Sequence, residues 1–394
     1  MEAAGRKQGE TLPNGLRRTW LWALVGRQEQ IGFAMEGEEA CFPPAAQNFL
    51  LPMGFSGILF AFPDAAATRR FPRERPLMGA SYGFLPLGAA MTKRRRREVM
   101  NLHQPHAEVY VPDGLHEAQA LARTTHLCIA AHHDDIEIMA AHAVLTCFQQ
   151  SDKWFTGVVV TDGRGSPRAG RYADYTDDEM WAVRRQEQRK AAFVGEYAAQ
   201  IMLDYPSKVV KDGRAGAPVE DMAAVLEATR PQVVYTHNLA DKHDTHVAVA
   251  LRLIQAIRQM PPEARPQRLY GCEVWRDLDW MSDDDKIVFD LSAQENLQAA
   301  LLGVFDSQIS GGKRYDLAAL GRRRVNATFF ASHAVDETTG AAFAMDLSPL
   351  IRDEGVDPLT YVQGFIERFR AEVAERVVRL RSVHPVKGGN DGSA

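Results

Sequence analysis

The chain has 394 residues, of which 45% are hydrophobic and 25% charged, and its formal net charge is −5 at pH 7. This length suits one large domain with appendages, and the nearly balanced charge argues against a nucleic-acid or anionic membrane partner. Four scattered cysteines without a C-x-x-C spacing predict buried reduced thiols and a cytoplasmic protein. The longest apolar run, 49–62, is interrupted by proline and glycine and is too short for a membrane helix.

Residues 1–99 differ from the rest of the chain. They contain many Pro and Gly, show no sustained periodicity, and end in the basic run 93–97. We predict a poorly structured N-terminal extension whose basic run is solvated rather than an anion contact. We also hypothesise that the natural protein starts at Met100, because purine-rich codons before it would resemble a ribosome-binding site. N-terminal sequencing of the native protein tests this start.

From Met100 onward, predicted strands and helices alternate. The predicted strands are 125–130, 155–161, 201–204, 232–235, 269–275 and 287–291. The predicted helices are 136–148, 176–197, 219–229, 247–257, 295–305, 317–324 and 358–381. This alternation predicts an α/β fold with a mostly parallel sheet, helices on both faces and a C-terminal extension. We assign 100–385 to this domain and 386–394 to a flexible tail, and the charged last helix leaves a homo-oligomer open.

Two polar turns each follow a predicted strand and precede a predicted helix. The first, 131–137, reads Ala-His-His-Asp-Asp-Ile-Glu, and the second, 236–246, holds three of the twelve histidines. The carboxyl ends of parallel strands share one edge of the sheet, where open α/β folds bind their ligands. We therefore expect the two turns to meet and to form a metal site.

Histidines and carboxylates in these turns match the needs of a catalytic zinc site. Such a site uses three protein ligands and keeps one position open for water. His132, Asp135 and His246 can supply this set, which leaves Asp134 free as a general base beside the metal. Because His243 lies three residues before His246, one of the two can bind metal while the other protonates a leaving group or stabilises an oxyanion.

Substrate contacts are predicted in the loop 162–175 and in the second turn. The loop carries three arginines, whose planar guanidinium groups suit phosphate or sugar hydroxyls, and the alternative is a solvated loop. His133 is expected to face away from the metal or to support its ligands. A stacking surface for a sugar is predicted at Trp275, Arg276 and Trp280, with tryptophans that belong to the core as the alternative. The predicted substrate-binding residues are Asp162, Arg164, Arg168, Arg171 and His237, and the alternative for His237 is a hydrogen bond within its own loop.

The two turns resemble the motifs of a known family. Residues 132–135, His-His-Asp-Asp, are similar to the HPDD motif of the PIG-L/LmbE-like zinc-dependent de-N-acetylases. Residues 243–246, His-Asp-Thr-His, are similar to their HPDH or HxDH motif. Residues 159–163 and 185–187 also fall where members carry a strand-end Thr-x-Gly and an Arg-x-x-Glu-like helix. The resemblance extends over residues 125–275.

The resemblance implies an LmbE-like, Rossmann-like fold that binds zinc through His132, Asp135 and His246, with another divalent ion such as Fe²⁺ as the alternative. Asp134 would match the general base, and His243 the acid or oxyanion-stabilising residue. Family members remove the acetyl group of N-acetylglucosaminyl conjugates. The resemblance thus implies a zinc-dependent deacetylase that turns a small amino-sugar conjugate into acetate and a free amine. An amidase of thiol-sugar or other amide conjugates, and a non-catalytic sugar- or metal-binding relative, remain alternatives.

Three positions depart from the family motifs. His133 replaces the usual Pro, and Glu137 stands one position beyond the usual Glu. Thr245 stands where many members have an Asp that orients the catalytic histidine. Loss of that carboxylate is expected to lower the pKa of His243. None of the departures removes a ligand, so we still expect activity.

Overall fold

The structure is a computed structural model that describes residues 100–381 and the backbone of three strands before them. The chain divides into two units, residues 1–89 and residues 90–394. In the first unit, β1 (Ala4–Thr11), β2 (Arg17–Val25) and β3 (Gln28–Met35) form an antiparallel sheet in that order. The poorly structured extension expected for 1–99 stays a prediction. The basic run 93–97 and the tail 386–394 lie outside the described residues, and the domain bounds and the start at Met100 stay predictions.

The sheet of the second unit has eight strands in the order β10-β11-β9-β8-β5-β6-β7-β4. Their bounds are β4 Glu108–Tyr110, β5 His126–Ala130, β6 Phe155–Thr161, β7 Ala199–Tyr205, β8 Val233–His237, β9 Arg268–Cys272, β10 Ile287–Asp290 and β11 Ala341–Asp346. The five central strands, from β9 to β7, are parallel. The edge strands β4, β10 and β11 pair antiparallel. The predicted α/β fold with a mostly parallel sheet is therefore confirmed.

Helices follow most of the strands. Their bounds are α1 Glu117–Ala122, α2 Asp135–Met139, α3 Ala141–Cys147, α4 Asp177–Val194, α5 Ser207–Lys211, α6 Ala217–Thr229, α7 Asp244–Arg258, α8 Glu295–Gly303, α9 Asp306–Ile309, α10 Tyr315–Phe329, α11 Ser348–Arg352 and α12 Pro358–Leu380. After β11, the last strand of the sheet, the chain continues through α11 and α12. None of these helices is long and apolar enough to cross a bilayer.

Apolar side chains cover both faces of the sheet, because successive residues of a strand point in opposite directions. Leu127 of β5 belongs to the cluster that contains Val225 of α6 and Leu253 of α7. Its neighbour Cys128 belongs to the cluster on the other face, with Val144 of α3. Every residue of β5, β6 and β7 is buried, as is typical of strands covered by helices on both sides. The helices therefore lie on both faces, as predicted.

The helix predicted at 136–148 is in fact two helices, α2 and α3, that meet at Ala140. The guanidinium of Arg323 in α10 donates to the carbonyl oxygens of Glu137 and Ile138 at 2.8 and 3.1 Å. In a continuous helix, these carbonyl oxygens would accept hydrogen bonds from N–H groups one turn later. Here Arg323 takes the place of those donors, so the helix can end. The sequence also does not predict β4, which has three residues, or β11, whose three alanines have little preference for strands.

The connections of the sheet place the two polar turns side by side. The chain runs outward from β5 through β6 to β7 and then returns to β8, which pairs with the other side of β5. This change of direction leaves a crevice at the carboxyl ends of β5 and β8. The first turn follows β5 and the second follows β8, so both open into this crevice.

The three cysteines among the described residues are buried. Cys128, Cys147 and Cys272 are buried free thiols, in agreement with the prediction, and Cys41 lies outside the described residues. Burial raises the pKa of Cys147 to about 12, which keeps it protonated and unreactive near neutral pH. A cytoplasmic location and a homo-oligomer stay predictions.

The start of α4 allows a test of local stability. Thr176 Oγ1 accepts a hydrogen bond from the Glu179 N–H at 3.2 Å, and the Glu179 carboxylate accepts one from the Thr176 N–H at 2.8 Å. Replacing Thr176 by Ala removes half of this capping box, so we expect the free energy of unfolding to fall by about 1 kcal/mol. Urea unfolding measures the change. Thr176→Ser keeps the hydroxyl and should match the wild type; an equal loss in both variants would contradict this role.

Candidate metal centre and cavity

The first turn reverses sharply after the buried strand β5. Asp134 has a φ of 83°, and α2 begins at the next residue, Asp135. This left-handed conformation is uncommon outside glycine, and aspartate is among the residues that tolerate it best. The backbone N–H of His132 donates to Asp135 Oδ2 at 2.7 Å. The turn therefore holds the side chains of His132 and Asp135 next to each other.

The second turn is organised by Asp241, a buried residue whose role the sequence does not predict. Its Oδ1 accepts a hydrogen bond from the N–H of His243 at 2.9 Å, and its Oδ2 accepts one from the N–H of Trp275 at 3.1 Å. The same Oδ2 lies 3.5 Å from Nδ1 of His246. Metal-binding histidines commonly present their second nitrogen to a carboxylate in this way, which fixes the direction of the ring. The only local signal is a carboxylate in the same turn as the histidines.

Three side-chain atoms from the two turns form a small triangle. His132 Nδ1 lies 3.1 Å from Asp135 Oδ2 and 3.1 Å from His246 Nε2. His246 Nε2 lies 3.3 Å from Asp135 Oδ2. Around a tetrahedral zinc with bonds of about 2.0 to 2.1 Å, neighbouring ligand atoms lie about 3.3 to 3.4 Å apart. The two turns meet as expected, and the triangle has nearly the dimensions of one ion's ligand shell.

Two wider groups of candidate ligand atoms share His246. One combines it with His132 and His243, and the other with Asp135 and His237; in each, the atoms lie within 4.8 Å of one another. The distances within the triangle of His132, Asp135 and His246 are all well below this 4.8 Å limit. It also offers two imidazoles and one carboxylate, a donor set that suits zinc and ferrous iron.

The electrostatics of the triangle favour a cation. Burial pushes the pKa of Asp135 upward, but the neighbouring His246 and His132 outweigh burial and hold it well below its usual range. Burial likewise opposes protonation of His246, yet the negative charges of Asp135 and Asp241 raise its pKa to about 9. A field strong enough to hold a proton on a buried imidazole is equally attractive to a divalent ion.

Asp134 lies beside the triangle and lines the same cavity. Its Oδ2 is 3.4 Å from an Nη2 nitrogen of Arg184, a fully buried residue of α4. Burial raises the pKa of Asp134, the charge of Asp135 adds to this increase, and Arg184 opposes it. Nε and Nη1 of Arg184 have no hydrogen-bond partner among the described residues. The pKa of Asp134 is thus set by burial and Asp135, which raise it, and by Arg184, which lowers it.

Behind Asp134, three side chains support the turn. The N–H of Asp134 donates to Oε1 of Gln188 at 3.3 Å, and Nε2 of Gln188 donates to Glu137 at 2.9 Å. Tyr197 donates to the same Glu137 oxygen at 2.8 Å. Burial raises the pKa of Glu137 to about 8. Glu137 therefore supports Asp134 through Gln188 and does not touch the triangle.

The arginine that reaches the site is Arg184 rather than Arg185. Arg185 pairs with Glu108 at 2.5 Å and with Asp204 at 3.5 Å, on the far side of the helix. Glu187 accepts hydrogen bonds from the N–H and hydroxyl of Ser307, both at 2.7 Å, and so joins α4 to α9. The spacing Arg-x-x-Glu in this helix is thus Arg184 to Glu187, one residue earlier than the match drawn from the sequence.

His243 lies at the entrance to the triangle, half-buried, as the N-cap of α7. The centre of its ring is 4.9 Å from that of His132 and 4.6 Å from that of His246. Burial lowers the pKa of His243, and the two neighbouring imidazoles lower it further. The predicted lowering is therefore present, although its main cause is burial rather than Thr245.

His237 and His133 do not face the cavity. His237 is completely buried, accepts a hydrogen bond from the N–H of Ala131 at 2.8 Å, and stacks on His246 at 3.8 Å. This position behind His246 does not fit the predicted substrate contact. His133 is also buried, and its ring lies against Gly163. Any other residue at position 163 would bring its Cβ atom to 2.9 Å from Nδ1 of His133. Gly163, with a φ of 72°, leaves room for that ring.

The loop 162–175 contributes Asp162 to the cavity but none of its three arginines. Each arginine pairs with an acid instead: Arg164 with Asp178, Arg168 with Asp177 and Arg171 with Asp306. Arg164 also lies 3.7 Å from Asp162. The pairs tie the loop to the starts of α4 and α9, so these positions do not fit the predicted substrate contacts of the arginines.

The cavity at the carboxyl end of the sheet has a volume of about 640 Å³. Ligand pockets of this size accept molecules as large as a disaccharide or a small conjugate. Its walls combine the first turn, the loop after β6, the segment after β9 and helix α10. Among its lining residues are His132, Asp134, Asp135, Asp162, Arg184, His243, Trp275, Lys313, Tyr315 and Arg322.

Comparison with solved structures gives several low-identity matches. A 4-carboxy-2-hydroxymuconate hydratase from Pseudomonas putida is 16% identical, covers 57% of this chain and 96% of its own, and has a TM-score of 0.44. A conserved protein from Thermus thermophilus is 17% identical, with 59% and 99% covered and a TM-score of 0.45. An N,N'-diacetylchitobiose deacetylase from Pyrococcus horikoshii is 15% identical, with 58% and 86% covered and a TM-score of 0.45.

Comparison by sequence gives a family. No curated protein matches the chain. A family model described as PIG-L, GlcNAc-PI de-N-acetylase, matches residues 127–257. That segment begins in β5, ends in α7 and contains both polar turns. The resemblance drawn from their motifs is confirmed: both motifs lie in the segment that matches the PIG-L family model.

Proposed function

We propose that this protein is a metal-dependent hydrolase that removes an acetyl group from an N-acetylglucosaminyl conjugate, giving acetate and a free amine. The observation that carries the proposal is the triangle of His132, Asp135 and His246, with Asp134 and His243 beside it in one cavity. The family match over residues 127–257 supports a deacetylase activity.

His132, Asp135 and His246 would hold the ion. Their mutual distances, their burial and the supporting contact from Asp241 to His246 fit zinc, and the same donors also suit Fe²⁺. A bound ion would supply Lewis-acid activation of a water and of the amide carbonyl. The chain's own residues would then bind the substrate and move the protons.

Asp134 is the proposed general base. Its raised pKa brings it closer to neutral pH, where a base is both deprotonated and basic enough to accept a proton. It takes a proton from the attacking water and delivers that proton to the nitrogen as the C–N bond breaks. Arg184 keeps enough of Asp134 in the carboxylate form to begin the cycle.

His243 is the proposed stabiliser of the oxyanion. Because its pKa is lowered, the imidazole is neutral near neutral pH and can donate a hydrogen bond without giving up a proton. Its place at the mouth of the triangle puts this donor next to the amide. Thr245 therefore need not be a carboxylate for this role.

Two other functions use the same residues. An amidase of a different amide conjugate would hydrolyse it without releasing acetate from N-acetylglucosaminides. A binding protein would retain the sugar without turnover. Acetate release from methyl N-acetyl-β-glucosaminide and from larger N-acetylglucosaminides, before and after treatment with a chelator, separates the three functions. Chelator-sensitive release supports the proposal, and hydrolysis of other amides alone would overturn it.

Replacing Asp134 by Asn tests the base. The side chain keeps its size but loses the ability to accept a proton, so we expect the rate of acetate release to fall by about 100-fold or more while metal stays bound. Elemental analysis of the same sample checks the metal, and Glu227→Gln, on the exposed side of α6, provides a control for loss of one carboxylate. Full activity in Asp134→Asn would contradict the assignment.

Replacing Arg184 by Gln tests how the base is tuned. Arg184 stabilises the carboxylate form of Asp134, so its removal raises the pKa of Asp134 and leaves the base protonated up to a higher pH. The acid limb of the kcat/KM profile should therefore move to higher pH. Arg184→Lys keeps the charge and should move the limb less. An unchanged limb in Arg184→Gln would show that the limb does not report Asp134.

A further inference from the structure

We infer that the cavity recognises an anionic group, a phosphate or a carboxylate, on the part of the substrate that lies beyond the acetamide. The inference deepens the proposed function and rests on it. It is carried by an aromatic wall with two cationic side chains, Lys313 and Arg322, that face no acidic partner within ion-pair distance among residues 100–381.

The aromatic wall begins at the proposed catalytic residues. The ring of Trp275 lies nearly parallel to that of His243, with 6.3 Å between their centres and 16° between their planes. The edge of Tyr315 meets Trp275 at 6.0 Å and 89°. Trp275, Tyr315 and His243 all line the cavity. A sugar whose acetamide reaches the triangle would therefore extend along Trp275, since indole rings pack well against the apolar faces of sugars.

Two cations border this wall. Lys313 Nζ lies 5.0 Å from the centre of the Trp275 ring, a cation–π contact, and the residue lines the cavity. Arg322 also lines the cavity, and its Nη1 donates to the carbonyl oxygen of Val274, next to Trp275. Within the part of the chain that the structure describes, neither side chain has a carboxylate within 4.0 Å. Both side chains therefore retain nitrogen donors that no carboxylate of the described residues engages.

The acids of the cavity are already engaged elsewhere. Asp135 is held by His132 and His246, and Asp134 and Asp162 lie near Arg184 and Arg164. None of these pairs involves Lys313 or Arg322. The wall near Trp275 thus has positive charge that the rest of the cavity does not offset.

Glu273 is an acid that acts on Arg322, and it is a weak counter-charge. Its side chain is buried and accepts hydrogen bonds from the N–H groups of Leu278 and Phe343 at 2.7 and 2.9 Å and from Asn326 at 2.9 Å. These three donors already saturate most of its lone pairs. Burial also raises its pKa, although Arg322 lowers it in part. The guanidinium of Arg322 therefore remains available to an external anion.

The test measures binding of three related probes to the full-length, metal-loaded protein that carries Asp134→Asn, so that none is consumed. The probes are three β-linked derivatives of N-acetylglucosamine: the methyl glycoside, which is neutral, the 1-phosphate, and the carboxymethyl glycoside, which carries a carboxylate. Calorimetry should show at least one anionic probe binding about tenfold more tightly than the neutral one, the size of one or two charge-assisted hydrogen bonds. The tighter of the two anionic probes identifies the preferred source of charge.

Substitution of both cations gives the decisive comparison. In Lys313→Ala/Arg322→Ala, the ratio of the affinities for the anionic and the neutral probe should fall to about one. Arg276→Ala is the matched control, because Arg276 is exposed, follows Trp275 directly and does not line the cavity. It should keep the preference. Equal binding of all three probes by the parent protein, or an equal loss of all three in the double variant, would overturn the inference.

Turnover by the protein with Asp134 intact separates this inference from the proposed function. Acetate release without any preference for anionic probes would sustain the reaction and overturn the anion site. Preference in binding without acetate release from any probe would overturn the reaction and sustain the anion site. Raising the salt concentration should reduce the difference in affinity between the anionic and the neutral probes, because partly exposed charges are screened.

Discussion

The approach of His132, Asp135 and His246 to within 3.3 Å of one another is the contact on which the rest of the site depends. Burying a carboxylate against a buried imidazole costs several kcal/mol unless the charges are compensated. Here, the carboxylate of Asp135 lies against the imidazoles of His132 and His246, so two nitrogens and one oxygen converge on one point. A divalent ion bound there would supply positive charge to all three atoms at once. This geometry is the one that the proposed metal site requires.

The parallel sheet maintains this contact. β5 and β8 pair directly, so the turns that follow them leave the sheet at neighbouring points. Asp241 then orients His246, and Gln188 holds the backbone of Asp134. Arg323 takes up two carbonyl groups at the end of α2 and separates that short helix from α3. Each support comes from a different element, so the small triangle depends on the packing of the whole domain.

Local patterns suffice for much of this architecture. Alternating apolar segments predict the central strands and their helices, and the clustering of His and Asp after two strands predicts that the turns meet. Contacts between distant elements have no local signature. Asp241 looks like any loop acid, and Arg184 and Arg185 are indistinguishable in the sequence although only Arg184 faces the cavity. The loop arginines look available to a phosphate, but acids of α4 and α9 occupy them.

The wall that contains Trp275 shows the same contrast. Its lysine, arginine and tyrosine come from the segment 313–322, which has no sequence motif and follows the family segment by more than fifty residues. They reach the site only because α10 packs beside β11. The catalytic candidates and the residues proposed to select the substrate thus have separate origins in the chain.

The most direct test is the metal content of the purified protein compared with two single variants, His132→Ala and His243→Ala. The triangle predicts a single tightly bound ion in the wild type, loss of that ion in His132→Ala, and its retention in His243→Ala, whose side chain lies beside the ligands. Loss of metal in His243→Ala with retention in His132→Ala would contradict the ligand set. Wild-type protein that binds no divalent ion would contradict the account as a whole.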